Sequence, residues 1–127
     1  MVDVKPFGPI IGAEIDGVSL GHLSESEFND IRTALAQHEV LVFRDQCIAA
    51  EQQIAFGRRF GELTVSPFSP NAEDMPELIV LDNHPGAAPP LTDIWHSDET
   101  FRATPHSRQS CAPALYRSLV VTRCSPA

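Results

Sequence analysis

Apolar and polar positions along the chain fall into short blocks that follow two different periods. In Ile10-Ile11-Gly12-Ala13-Glu14-Ile15-Asp16-Gly17-Val18, small, apolar and acidic residues alternate between glycines. That is the pattern of a short strand ending in a turn. The period then changes. Phe28, Ile31 and Leu35 recur at helical intervals and predict a helix to about His38 with those three side chains facing a core. Just ahead of them, Ser24 and Glu27 have the S-x-x-E spacing of a capping box, which fixes where that helix starts. Val40-Leu41-Val42-Phe43 is an uninterrupted β-rich apolar run, expected of a strand buried on both faces and closed by Arg44-Asp45-Gln46. A second helix is predicted from about Ala50 to Phe60, with Ile54, Ala55 and Phe60 inward and Gly61 as its stop.

Beyond it, Ser66-Pro67-Phe68-Ser69-Pro70-Asn71 reads as a loop and Leu78-Ile79-Val80-Leu81 as another buried strand. Pro85-Gly86-Ala87-Ala88-Pro89-Pro90 leads into Trp95-His96-Ser97-Asp98-Glu99-Thr100-Phe101, which again reads as strand. Side chains two apart on a strand share a face, so His96 and Asp98 project together. A neutral imidazole and a carboxylate so placed can grip one metal ion and supply two-thirds of a 2-His-1-carboxylate facial triad. By itself the pair fits better an Asp accepting a hydrogen bond at a strand end beside a partly buried His.

Composition narrows the class without naming the chemistry. With 127 residues, 43% of them hydrophobic, the chain can build one globular core. No apolar run reaches bilayer length and the first residues lack a basic, apolar leader, so a cytoplasmic protein with no membrane partner is expected. Cys47, Cys111 and Cys124 are odd in number and lack zinc-site spacing, which suggests reduced thiols. A formal charge of -8 argues against a basic nucleic-acid surface. The charge is also uneven. Every carboxylate lies at or before Glu99, whereas the segment from His106 onward carries Arg108, Arg117 and Arg123 and no acid.

Three motifs, taken in order, decide between the readings of His96 and Asp98. Phe43-Arg44-Asp45-Gln46, then Ala55-Phe56-Gly57-Arg58-Arg59-Phe60-Gly61-Glu62-Leu63, then Trp95-His96-Ser97-Asp98-Glu99-Thr100-Phe101-Arg102-Ala103-Thr104-Pro105 resemble the TauD/TfdA family of Fe(II)- and 2-oxoglutarate-dependent dioxygenases. The resemblance covers roughly residues 7 to 105. It implies a mainly β fold with flanking helices (α+β), here a partial double-stranded β-helix or jelly roll. It implies Fe(II) as cofactor, 2-oxoglutarate as co-substrate, a small-molecule substrate, and His96 and Asp98 as two of the iron ligands. A distal His, an Arg pairing with 2-oxoglutarate and a Thr in a G-G-D-T segment belong to the family pattern and have no counterpart in this chain. Where taurine dioxygenases carry a substrate-contacting His-x-x-Tyr and Asn, this chain has Ser66-Pro67-Phe68-Ser69 and Thr92. Ser66, Phe68 and Thr92 are the substrate candidates, and taurine itself is disfavoured. A homo-oligomer is open to the full-length form.

The tail departs from that pattern. After Pro105 the sequence turns to His106-Ser107-Arg108-Gln109-Ser110-Cys111-Ala112-Pro113. Back-translated with GC-rich codons and read one base earlier, with free choice at degenerate positions, residues 106 to 127 can give P-L-A-A-I-L-R-A-R-A-V-P-L-V-G-G-D-T-L-F-A, the continuation that the family leads one to expect. The expected organisation is therefore residues 1–105 as the N-terminal part of a dioxygenase domain and 106–127 as an out-of-frame product. Without a second half, Val40–Phe43 and Leu78–Leu81 should be left with unpaired edges. Leu115, Leu119, Val120 and Val121 could form one adventitious strand. Two functions compete: the family's dioxygenase chemistry, and a non-catalytic remnant or partner-binding fragment.

Overall fold

The computed structural model describes residues 2–80, 103, 108–111 and 120–124. The chain divides into two compact units, one formed by Met1–Gly61 with His106–Ala127 and one by Glu62–Pro105.

The first unit is built on a mixed five-stranded sheet. Its strands are β1 (Asp3–Pro6), β2 (Ala13–Asp16), β3 (Val40–Phe43), β4 (Arg108–Cys111) and β5 (Val120–Cys124), in the order β1-β2-β3-β5-β4. β2 and β3 run parallel, and the other neighbours are antiparallel. Such a parallel pair needs a crossover connection. Here it contains a short 3₁₀ turn, Leu20–His22, and helix α1, Glu25–His38.

α1 begins where the S-x-x-E spacing places it. Glu27 donates its backbone N–H to Ser24 Oγ at 3.3 Å, and the Ser24 backbone N–H donates to Glu27 Oε2 at 2.8 Å. Both reciprocal bonds of a capping box are therefore present. Phe28, Ile31 and Leu35 are buried as the periodicity predicts. The helix ends at Glu39, whose φ of 63° reverses the chain straight into β3. The alternation of β2 puts Ala13 and Ile15 inward and leaves Glu14 and Asp16 half-exposed. Ala13, Ile15, Leu41 and Phe43 meet Phe28, Ile31 and Leu35 in one core, completed by Leu20 and Phe56.

Several expectations need correction. The opening strand is shorter than 10–18: Ile10 and Ile11 are exposed, at 83% and 53%, in a turn closed by Phe7 N–H donating to Gly12 O at 2.9 Å. Gly12, at φ 89°, also donates to the His38 carbonyl at 2.9 Å and so ties this turn to the end of α1. Helix α2 spans Ala50–Arg58. Its buried residues are Ile54 and Phe56, whereas Ala55 is exposed. The reason is size, because burying a phenyl ring contributes about 1.5–3 kcal/mol and a lone methyl far less. Gly61, at φ 150°, stands just after the turn that ends α2.

Ile79 and Val80 do not lie in a buried strand. They are 41% and 53% exposed, and only an isolated bridge pairs Ile79 with Asn71. Leu81 lies outside the described residues. The edge of Val40–Phe43 is not open either, since β5 pairs along all four residues from Val40↔Arg123 to Phe43↔Val120. The segment after Pro105 contributes two strands, not one. β1 went unforeseen: Asp3-Val4-Lys5-Pro6 lacks clean alternation and ends in a proline that only an edge strand tolerates.

Candidate functional site

In the first unit, the family-like motifs turn out to be braces. Gln46 spans the gap between β3 and the 3₁₀ turn. Its Oε1 accepts from Leu20 N–H at 3.0 Å, and its Nε2 donates to Val18 O at 3.1 Å and to Arg44 O at 3.0 Å. One amide thus satisfies three backbone groups that the irregular connection leaves without ladder partners. Arg44 Nε donates to Glu14 Oε2 at 2.9 Å across the β2–β3 pair, and that carboxylate holds the guanidinium above its ordinary pKa.

Arg59 plays a similar part beyond α2. Its guanidinium sits 4.1 Å over the Phe28 ring, donates to the Leu23 carbonyl at 3.2 Å and pairs with Glu25. Phe60 packs edge-on against Phe28 at 4.8 Å and against Phe56 at 5.2 Å, and Phe56 packs likewise against Phe43 at 6.2 Å. Arg59 and the phenylalanines therefore bind α1, α2 and β3 into one block. The packing of Phe28, Phe43 and Phe60 is the one their pattern predicts, whereas Phe56 and Arg59 carried no such sign in the sequence.

In the second unit, two of the three substrate candidates are described. Ser66 and Ser69 hydrogen-bond through their hydroxyls at 2.9 Å, and Phe68 N–H lies 3.4 Å from Ser66 Oγ. Asn71 Nδ2 donates to the Ser66 carbonyl at 2.8 Å, and Val80 N–H to Pro70 O at 2.9 Å. These bonds hold a turn with the Phe68 ring 80% exposed at its tip. Asn71 Oδ1 is buried and has no hydrogen-bond partner among the described residues. Such an acceptor is costly to leave unmade, and sequence reasoning passed over Asn71 because an Asn after Pro-rich residues reads as turn chemistry. The turn thus presents the exposed Phe68 side chain, while the Ser66 hydroxyl is engaged by Ser69 and the Asn71 carbonyl is buried.

His96, Asp98 and Thr92 lie outside the described residues. Among the described residues no group of three or more His, Cys, Asp or Glu side chains could hold a metal ion. No helix among them is long and apolar enough to cross a membrane. Cys47 is exposed and free.

Residues 3–110 match the model of the family described as "Taurine catabolism dioxygenase TauD, TfdA family". The match is wider at both ends than the span from 7 to 105 that the motifs mark. Among curated proteins, the chain is 32% identical over 112 residues to (S)-phenoxypropionate/alpha-ketoglutarate-dioxygenase of Sphingobium herbicidovorans, covering 78% of this chain and 36% of that protein. It is 36% identical over 102 residues to an alpha-ketoglutarate-dependent sulfate ester dioxygenase of Pseudomonas putida, covering 79% and 33%. Among solved structures, a taurine dioxygenase from Burkholderia xenovorans superposes with a TM-score of 0.56 at 39% identity, over 59% of this chain and 28% of that one. The chain thus spans about a third of the length of these relatives.

Proposed function

Since the chain belongs to the TauD/TfdA family, we propose that its gene encodes an Fe(II)- and 2-oxoglutarate-dependent dioxygenase that hydroxylates a small organic substrate in the cytoplasm. The observation that carries this reading is the continuous family match over residues 3–110, which contains the whole Trp95–Pro105 motif. An imidazole and a carboxylate two residues apart form a donor set suited to ferrous iron, with positions left open for other ligands. His96 and Asp98 would hold the ion, and a His from the remainder of the full-length protein would join them. Bound iron supplies oxygen activation coupled to decarboxylation of 2-oxoglutarate.

The chain's own residues do the positioning. Ser66, Phe68 and Thr92 contact the substrate in this reading, with Phe68 offering an apolar face and the Ser66 hydroxyl a polar handle. Relatives act on phenoxypropionate and on sulfate esters, as their names state. Both pair an organic body with an anionic group, and we assign this protein a substrate of that general type. The sheet of the first unit is, in this reading, one part of a jelly roll completed by the rest of the full-length protein.

We further propose that residues from about 106 are an out-of-frame product, so that the polypeptide of 127 residues is itself inactive. Genomic sequencing across codons 100 to 127 tests this. A G-G-D-T segment in the alternate frame supports it, and an alternate frame without one refutes it. Succinate release in the presence of Fe(II), ascorbate and 2-oxoglutarate tests the function. The frame-restored protein should turn over and its His96→Ala variant should not, whereas the 127-residue chain should release none. A restored protein that neither binds iron nor decarboxylates 2-oxoglutarate would leave the partner-binding fragment as the better reading.

A further inference from the structure

The turn from Ser66 to Asn71 is short of backbone donors. Pro67 and Pro70 carry no N–H, so the Ser66 carbonyl cannot close a turn onto the residue four positions on. The Asn71 side chain supplies the donor instead, with Nδ2 donating to Ser66 O at 2.8 Å. Only the amino end of the amide can face that carbonyl, because two carbonyl oxygens would repel.

Asn71 is itself fixed by its backbone. It forms an antiparallel bridge with Ile79, flanked by Ala72 N–H donating to Leu78 O and Val80 N–H donating to Pro70 O, both at 2.9 Å. The bond to Ser66 carries the rigidity of that bridge to the front of the turn, and Pro67 restricts the backbone between there and Phe68. The Phe68 side chain, 80% exposed, is therefore presented from a braced tip.

We propose that Asn71 is a positioning residue for substrate: by pinning the Ser66 carbonyl it holds Phe68 in place to receive the apolar body of an organic anion. This rests on the reading of the protein as a dioxygenase in which Phe68 meets the substrate. A ring held in place before the ligand arrives loses little freedom on binding. Acting through Phe68, Asn71 sets how well substrates that bear a ring are distinguished from those that lack one.

The test follows succinate release by the frame-restored protein with Fe(II), ascorbate and 2-oxoglutarate, using phenoxyacetate and its ringless counterpart methoxyacetate as probes. Asn71→Ala removes the amide, and Asn71→Asp keeps its shape while removing the donor, so the second variant serves if the first does not fold. In both, the phenoxyacetate concentration for half-maximal release should rise roughly three- to tenfold, the effect of one lost hydrogen bond. The values for methoxyacetate and for 2-oxoglutarate should not change. Phe68→Ala should show the same selective loss, and adding Asn71→Ala to it should bring no further rise, since the two act through one contact. In the chain of 127 residues, Asn71→Asp should also speed deuterium exchange at the Phe68 and Ser69 amides.

A restored parent that decarboxylates no 2-oxoglutarate overturns the dioxygenase reading and the substrate role of Asn71 with it. A parent that turns over, but without saturation by phenoxyacetate, or with variants whose losses are absent, additive to Phe68→Ala or equal for the two probes, overturns the role of Asn71 alone. Unchanged amide exchange overturns the brace.

Discussion

Single residues set the boundaries of the first unit, and each can be probed alone. Ser24→Ala removes the acceptor for the Glu27 amide and should cost about 1 kcal/mol of stability, read from the denaturant midpoint. It should also change the pH profile. The Ser24 hydroxyl and then its backbone N–H hold the Glu27 carboxyl below its ordinary pKa. A carboxyl depressed in the folded state stabilises that state fully above the ordinary carboxylate range, and the contribution is lost as pH falls through the lowered value. The stability of the parent chain should therefore fall more steeply on acidification than that of Ser24→Ala. Gln46→Ala leaves the Leu20 N–H and the Val18 carbonyl without their partner, at a predicted cost of about 1–3 kcal/mol.

At the level of elements, the contrast between Ala55 and Phe56 can be checked directly. Phe56→Ala should cost about 3–5 kcal/mol, because it opens a cavity beside Phe43 and Phe60. Ala55→Ser, at an exposed position, should stay within about 0.5 kcal/mol. The same contrast shows what a sequence can transmit. α1 was legible because its start and its buried stripe are encoded within the helix itself, in Ser24, Glu27, Phe28, Ile31 and Leu35. β3 was legible because a four-residue apolar run has few other uses. β1 was not, since Asp3-Val4-Lys5-Pro6 becomes a strand only by pairing with β2. Leu78-Ile79-Val80 failed the other way, because a short apolar run looks alike whether or not neighbours arrive to cover it. In the candidate substrate turn, Ser66 and Phe68 were picked out by comparison of motifs. The buried carbonyl of Asn71 depends on a tertiary environment that no local pattern records.

For the molecule as a whole, the prediction that matters most concerns iron. In the frame-restored protein, His96→Ala and Asp98→Ala should each weaken Fe(II) binding on the order of 100-fold or more, since loss of even an outer-shell partner costs about 10–100-fold. A spectroscopic titration reads this independently of turnover, and unchanged occupancy in the double variant would remove the basis for assigning the two ligands. Charge is organised at the same scale, with an acidic body and a basic tail segment.

The hydrogen bond from Gly12 to the His38 carbonyl has a dynamic corollary. It makes the turn between the first two strands and the last turn of α1 a single latch. Fraying of the helix end, where Glu39 N–H donates to the Leu35 carbonyl, must release the turn as well. The amides of Gly12 and Glu39, far apart in sequence, should therefore exchange with deuterium at matching rates, opening and closing as one event.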